Sequence, residues 1–382
     1  MAVYLIGFAL SVGLIAFGEK RRRPLFLGLS VAALLIPCLI AALRAQTIGT
    51  DVMVYVKPLT HSALMADSLK DYFNTYWFSV WHNIYVKDFE VGFSLLVYVV
   101  AKVTKSLGGV LFVLQALTVV PLYVALSRHR RQLPLWLGML VYYLLFFNAS
   151  LNIMRQWIAM AFLLLSLETL QDRKWGWTVA LCLAAVTIHY SSLIIVPIYL
   201  IYWLLIQSRR AQLVHERFAV RGSTVVAVLL FFASILIILN LDLMVKLLSA
   251  TGFDRFKNYL EGEPLKLMVN QILLRVPLVA LFLFCWKDMC RHTKAAPFFF
   301  TMLLMDIVAF QLVSVDVIAI RIGYYFSAFS VLWLPRLAAC QSKGLKRTVT
   351  VIAIIGYCLF YWYYFYVFSL RHETYPYAFA GT

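Results

Sequence analysis

The chain has 382 residues, 63% of them hydrophobic and only 13% charged, with a formal net charge of +17. Soluble domains carry roughly 25% charged residues, and a water-soluble fold of this length could not hide so much apolar surface. The positive charge does not point to nucleic acid, because the basic residues sit in short loops between apolar runs, the pattern that orients a chain in a bilayer. Six cysteines lie in or beside apolar runs with no Cys-x-x-Cys pair, which indicates neither a zinc site nor a disulfide framework.

Taken in chain order, the apolar stretches predict twelve crossing helices at about 1–17, 24–43, 108–126, 133–148, 152–170, 175–189, 192–207, 222–240, 267–286, 295–314, 320–338 and 347–367. The first ends in Glu19-Lys20-Arg21-Arg22-Arg23. That reverses the charge order of a cleavable signal and predicts a retained helix. Segment 90–106 is apolar but short, and it carries Glu90, Lys102 and Lys105, so it reads as an amphipathic helix lying in the interface. With that segment uncrossed, loops 19–23, 127–132, 171–174, 208–221, 287–294 and 339–347 share one side. Those 46 residues hold 19 of the chain's 34 lysines and arginines, which places them inside and both termini outside. The expectation is an all-α polytopic membrane protein, one transmembrane domain over 1–382, with the long loops 44–107 and 241–266 and most carboxylates on the outer side.

Polar residues gather near the outer ends of these helices, where a charge is costly and normally faces a cavity or a partner. Arg44 opens the run Arg44-Ala45-Gln46-Thr47-Ile48-Gly49-Thr50-Asp51, followed by Tyr55. A snorkelling anchor is the alternative for Arg44, and a turn for Gly49 and Asp51. In Phe147-Asn148-Ala149-Ser150-Leu151-Asn152-Ile153-Met154-Arg155-Gln156, Asn148 and Ser150 suit a helix end. Asn152, Arg155, Gln156 and Ala159 fall at i, i+3, i+4 and i+7, one face of a continuous helix. Close helix packing would explain that stripe but not its guanidinium. His189-Tyr190-Ser191-Ser192 ends the sixth helix. Arg321 stands one turn before Tyr324 and Tyr325, Gln271 and Arg275 share a face, and Asp306 lies mid-span, where an arginine is its natural partner. Four arginines at similar depth, with Asp51, Glu90 and an imidazole, fit an anionic ligand such as a lipid-linked phosphate or pyrophosphate, because arginine forks match phosphate oxygens.

At these residues the chain resembles the EpsG-type family of bacterial polysaccharide polymerases, which act like Wzy O-antigen polymerases. The resemblance rests on Arg44-x-x-x-x-Gly49-Thr50-Asp51-x-x-x-Tyr55, Glu90-x-Gly92-Phe93, and Phe147-Asn148-x-Ser150-x-Asn152-x-x-Arg155-Gln156-x-x-Ala159. It continues through Ala184-Ala185-x-x-Ile188-His189-x-Ser191-Ser192 and Arg321-x-x-Tyr324. Ile188 departs from the pattern, in which an aromatic precedes the histidine, and the last third matches only around Arg321. The layout is also similar to the GT-C class of membrane glycosyltransferases, which have an acidic residue early in the first external loop followed by interfacial helices.

The resemblance implies a polymerase in the bacterial inner membrane whose site faces the periplasm. There a sugar hydroxyl of one undecaprenyl-pyrophosphate-linked unit attacks the anomeric carbon of the chain carried by another. Arg155 and Arg321, then Arg44 and Arg275, are assigned to the pyrophosphate. Asp51, Glu90 and His189 are the candidate bases, in no settled order, with Tyr55, Asn148, Asn152, Gln156, Ser192 and Tyr324 in support. No obligatory metal or other cofactor is expected, although Asp51 and Glu90 could share a divalent ion. A separate chain-length regulator is an implied partner. Loop 241–266, with Phe253, Phe256 and Tyr259 beside Asp254, Glu261 and Glu263, suits acceptor selection or headgroup anchoring. A GT-C transferase using a polyprenyl-phosphate sugar and a flippase or transporter are the competing readings.

Overall fold

The computed structural model describes residues 1–79, 82–128, 130, 133–207, 213–215, 220–239, 266–314, 320–342 and 344–381. The aromatic and acidic residues of loop 241–266 lie outside them. Among the described residues the fold is predominantly helical. Among the described residues, six helices are long and apolar enough to cross a bilayer: Ala2–Glu19, Arg23–Ala42, Leu107–Arg128, Val269–His292, Ala296–Ser314 and Leu345–Phe368. The chain divides into two compact units, Met1–Ile195 with Ile355–Thr382, and Val196–Ile354.

In the first unit, α1 (Ala2–Glu19) and α2 (Arg23–Ala42) form an antiparallel hairpin, tied by Ser11, whose hydroxyl donates to the Ala33 carbonyl at 2.8 Å. Such interhelical bonds hold helices together where lipid removes the hydrophobic drive. The first loop then folds back on itself. It comprises one π-helical turn at Val52–Val56, α3 (Lys57–Met65), α4 (Leu69–Asn74), a hairpin of β1 (Tyr76–Ser79) and β2 (His82–Tyr85), and α5 (Val91–Thr104). The hairpin pairs Tyr76 with Tyr85 and Trp77 with Ile84. The all-α expectation misses it, as it misses the shorter pair Leu213–His215 and Val220–Arg221. Aromatic residues on short alternating strands suit a pleated surface better than a helix.

Beyond α5, α6 (Leu107–Arg128) packs between α2 and α9 (Met154–Gln171), and α9 packs on α10 (Trp175–Ile188). A buried cluster of Val52, Tyr55, Leu59, Phe93, Val97 and Ile158 seats the first loop on this core. The predicted helices 133–148 and 152–170 are instead three pieces: α7 (Leu135–Leu145), α8 (Phe147–Asn152) and α9. Ile153, at φ −84° and ψ 60°, breaks the helix between Asn152 and Met154. Ser150 bonds back to the Phe147 carbonyl at 2.7 Å, a local competition that weakens a helix. Asn152 therefore does not share a helical face with Arg155, as the spacing suggested.

The second unit contains α11 (Ile195–Tyr202), α12 (Gly222–Leu239), α13 (Val269–His292), α14 (Ala296–Ala309), α15 (Ile320–Ser327) and α16 (Ser330–Ala339). The predicted span 320–338 is split between α15 and α16. The last helix, α17 (Leu345–Trp362), begins in this unit and ends in the first.

Two glycines set the approach of these pieces. Gly49 has φ +79°, and a Cβ there would stand 2.8 Å from the Leu151 carbonyl oxygen. At Gly92 a Cβ would stand 2.7 Å from the Thr187 oxygens, so α5 reaches the end of α10 only without a side chain. Gly49→Ala and Gly92→Ala should each lower detergent-phase melting by the equivalent of ~1–3 kcal/mol. Gly356→Ala, which meets nothing within 4 Å, should leave it unchanged. Equal melting of all three variants would show that neither approach is tight.

Candidate active site

Glu90 stands immediately before α5 and is only 5% exposed. Its Oε2 accepts a hydrogen bond from Arg155 Nη1 at 2.5 Å, and its Oε1 from His189 Nδ1 at 2.8 Å and from the Tyr190 N–H at 3.3 Å. Two stretches of the chain supply these donors. Arg155 lies in the first turn of α9. His189 caps the end of α10 in an extended conformation, φ −157°. Ser192 donates to the His189 carbonyl at 2.7 Å and fixes the turn that follows. The Arg155 guanidinium rests over the rings of Tyr55, Phe89 and Phe93, at 4.6, 5.1 and 5.8 Å. Such aromatic faces hold a cation without consuming its donors. Burial works against the Glu90 carboxylate, but the His189 hydrogen bond and the Arg155 charge outweigh it and hold its carboxyl at about 2.

An ionised carboxylate only accepts, so the proton of this pair belongs on His189 Nδ1 and a neutral imidazole presents Nε2 as a lone pair.

Asp51 is the second carboxylate, half-buried at the start of the π-helical turn. Tyr55, one turn on, donates its hydroxyl to Asp51 Oδ2. Burial and the adjacent Asp51 charge push the Tyr55 phenol well above its ordinary value. Asn152, freed by the break at Ile153, accepts from the Asp51 N–H at 3.1 Å and from the Thr50 hydroxyl at 2.9 Å. Its amide faces His372 Nδ1 at 3.5 Å. Tyr55 therefore links the two halves: its hydroxyl serves Asp51 while its ring carries Arg155.

Arg44 follows α2 and is 2% exposed, which removes the snorkelling alternative. Burial pulls its guanidinium down to about 10, against the opposing influence of Tyr4, Tyr377 and Asp51. It lies beneath the C-terminal tail, which sequence reasoning passed over. Ala45 N–H donates to the Ala378 carbonyl and Ala380 N–H to the Leu43 carbonyl, both at 2.8 Å, around the bridge Arg44–Phe379. Asn148 donates to Thr374 Oγ1 at 3.0 Å and accepts from Trp362 Nε1 at 2.9 Å, so it anchors that tail. The only signal was polar: Arg371-His372-Glu373-Thr374 after the last apolar run. Gln156 is buried in α9.

The other assigned residues belong to the second unit. Arg275, 3% exposed, forms a two-pronged ion pair with Asp306, at 2.8 and 3.2 Å. Its remaining nitrogen donates to the Gln271 carbonyl and side chain at 3.0 and 3.1 Å, and Phe310 lies 3.7 Å beneath it. Tyr324 packs edge-on against that same Phe310 at 5.8 Å, and Arg321 is half-buried on α15.

Both Glu90 oxygens face donors and Asp51 faces the Tyr55 hydroxyl, a poor setting for a shared divalent cation. Among the described residues no three His, Cys, Asp or Glu side chains gather to hold a metal.

An apolar helical body with carboxylates, guanidinium and imidazole bonded together in one unit defines a multi-pass membrane protein with a built polar site. The profile of the EpsG family matches residues 28–379, and the chain belongs to that family. Membership supports a polysaccharide polymerase-like function, a glycosyltransferase-type activity. No curated protein and no solved structure matches the chain.

The Glu90 linkage has a defined sign. Its folded carboxyl, at about 2, lies below the ordinary 4.5. The stability it contributes is therefore complete above the ordinary value and is lost as pH falls through the folded one. Glu90→Gln should melt below the wild type at pH 7, and the gap should persist at pH 5. Melting curves across pH 3 to 7 would expose the opposite result, a gap already closed at pH 5.

Proposed function

We propose that the protein joins undecaprenyl-pyrophosphate-linked oligosaccharide repeat units into O-antigen or exopolysaccharide on the periplasmic face of the inner membrane. Its twelve crossings would then follow a GT-C-like layout. The observation that carries this reading is the single Glu90 carboxylate shared between an imidazole and a guanidinium. This is the arrangement that a transfer between lipid-linked sugars needs: one group to take a proton, one to receive a departing anion.

His189 Nε2 accepts the proton of the attacking hydroxyl as its oxygen bonds to the anomeric carbon. Glu90 holds the ring on its other nitrogen and stabilises the imidazolium that forms, the division of roles that orients a histidine base. The bond from the anomeric carbon to the pyrophosphate oxygen breaks, and undecaprenyl pyrophosphate leaves with the bonding electrons. Arg155, held on its aromatic tray, stabilises the charge that develops there. Asp51 positions the acceptor hydroxyl. The partners are the lipid-linked donor and acceptor and, in the cell, a chain-length regulator.

His189→Ala should cut polymerisation by about 10²–10⁴-fold while the protein stays in the membrane. The assay is the surface-glycan ladder of a host that depends on this gene, with each variant's membrane level checked. A single capped repeat unit should remain. A full ladder in the deletion strain would sink the polymerase reading. Loss of even the single unit would favour a transferase using a polyprenyl-phosphate sugar, or a flippase.

A further inference from the structure

Among the described residues of the first unit, Arg44 is a buried cation whose donors lack acceptors. Among the described residues its Nε and Nη1 have no hydrogen-bond partner, and Nη2 reaches only the Met154 thioether at 3.4 Å. A thioether is a weak acceptor. The nearby oxygens bond to other groups and not to these nitrogens: the Tyr4 hydroxyl donates to the Thr374 carbonyl at 2.6 Å, the Tyr377 hydroxyl donates to the Ile40 carbonyl at 2.9 Å, and Asp51 Oδ2 accepts from the Tyr55 hydroxyl. Burying an unpaired ion costs several kcal/mol, and folding does not leave that cost standing without a compensating partner at some stage of the working cycle. A planar fork with free N–H groups in a closed setting matches an oxyanion that only accepts, and phosphate is the case that fits it best.

The tail over it is a strap. Glu373 accepts from the Gly49 N–H at 3.0 Å, Thr374 is held by Tyr4 and Asn148, and residues 378–380 pair with 43–45. Leu370, His372 and Glu373 all adopt left-handed backbone, φ 50°, 67° and 54°. Each costs about 1 kcal/mol or more, so the strap is kept closed by its hydrogen bonds and not by its own preference. Its His372 touches Asn152, which in turn holds the Asp51 N–H.

We propose that Arg44 is the phosphate-binding group of a pocket that residues 369–380 close, and that the strap must lift to admit the pyrophosphate end of the lipid-linked substrate. The identity of that anion rests on the polymerase reading; the anion pocket itself does not. Lifting the strap withdraws His372 from Asn152, so arrival of the phosphate is felt at Asp51.

Inorganic pyrophosphate is the probe, and melting of the full chain in lipid nanodiscs is the readout. Saturating pyrophosphate should raise the melting temperature of the wild type, since a ligand bound to the folded state alone stabilises by mass action. Arg44→Met should melt at or above the unliganded wild type, because it removes an unpaired buried charge, and it should no longer respond to pyrophosphate. A wild type that ignores pyrophosphate, or an Arg44→Met variant that still responds, overturns the proposal. So does an Arg44→Met variant that melts well below the wild type, which would mean a satisfied structural arginine. For the strap, Ala45→Cys with Ala378→Cys joins two residues opposite each other beside the isolated antiparallel bridge Arg44–Phe379, a spacing within disulfide reach. Oxidised, this variant should lose both the pyrophosphate response and the ladder, and a reductant should restore both. An oxidised variant that still responds overturns the gate. Failure of the polymerase reading would look different: a deletion strain with an intact ladder, beside a protein that still binds pyrophosphate through Arg44.

Discussion

A carboxylate placed at an apolar interface stays charged only if its surroundings supply what water would have supplied. Glu90 is that carboxylate, and the first unit is arranged around meeting its demand. Two segments distant from it in sequence deliver a guanidinium, an imidazole and a backbone N–H to its two oxygen atoms. Gly92 lets α5 come close enough to the end of α10 for the imidazole to reach, and the extended conformation of His189 turns its ring toward Glu90. The aromatic tray under Arg155 then holds the cation on its remaining side. Removing one partner would leave a buried charge uncompensated, which is why such networks are stable when complete and fragile when broken.

Much of this network was legible because polar residues stand out against so apolar a background. Glu90, Arg155, His189 and Asp51 needed no structure to be noticed. Their relationships were another matter. The spacing of Asn152 and Arg155 suggested one helical face, but the break at Ile153 sends Asn152 to the Gly49–Asp51 turn instead, and short-range periodicity carries no sign of such a break. For Arg44 an anchor reaching for headgroups stayed open beside the phosphate assignment, because the segment that buries it arrives more than 300 residues later in the chain. The β-hairpin at 76–85 was hidden because its aromatic strands have the composition of an interfacial segment in a chain otherwise read as helical.

The three candidate bases, which the sequence leaves unranked, differ in their surroundings once their partners are visible. Glu90 has both oxygens engaged by donors and a carboxyl held near the bottom of its range, so it is a poor proton acceptor at neutral pH. Asp51 already receives the Tyr55 hydroxyl. His189 uses one nitrogen to face Glu90, and a neutral imidazole so held has its other nitrogen available. In the proposed reaction it is this difference in environment that divides the roles among them.

The same logic separates the arginines. Arg275 and Arg44 are both almost completely buried, and both looked like phosphate ligands when judged by depth and charge. Arg275 has an acid on two nitrogens, an amide on the third and a ring beneath it, so its charge is neutralised within its own unit. Among the described residues, the hydrogen-bonding nitrogens of Arg44 meet only the Met154 sulfur. A fully satisfied buried arginine serves the fold, whereas an unsatisfied one is a cost to the fold that binding can recover. An anion that meets Arg44 gains both the arginine's hydrogen bonds and the relief of that cost. A buried guanidinium left short of acceptors is therefore a place where a phosphate would gain binding energy.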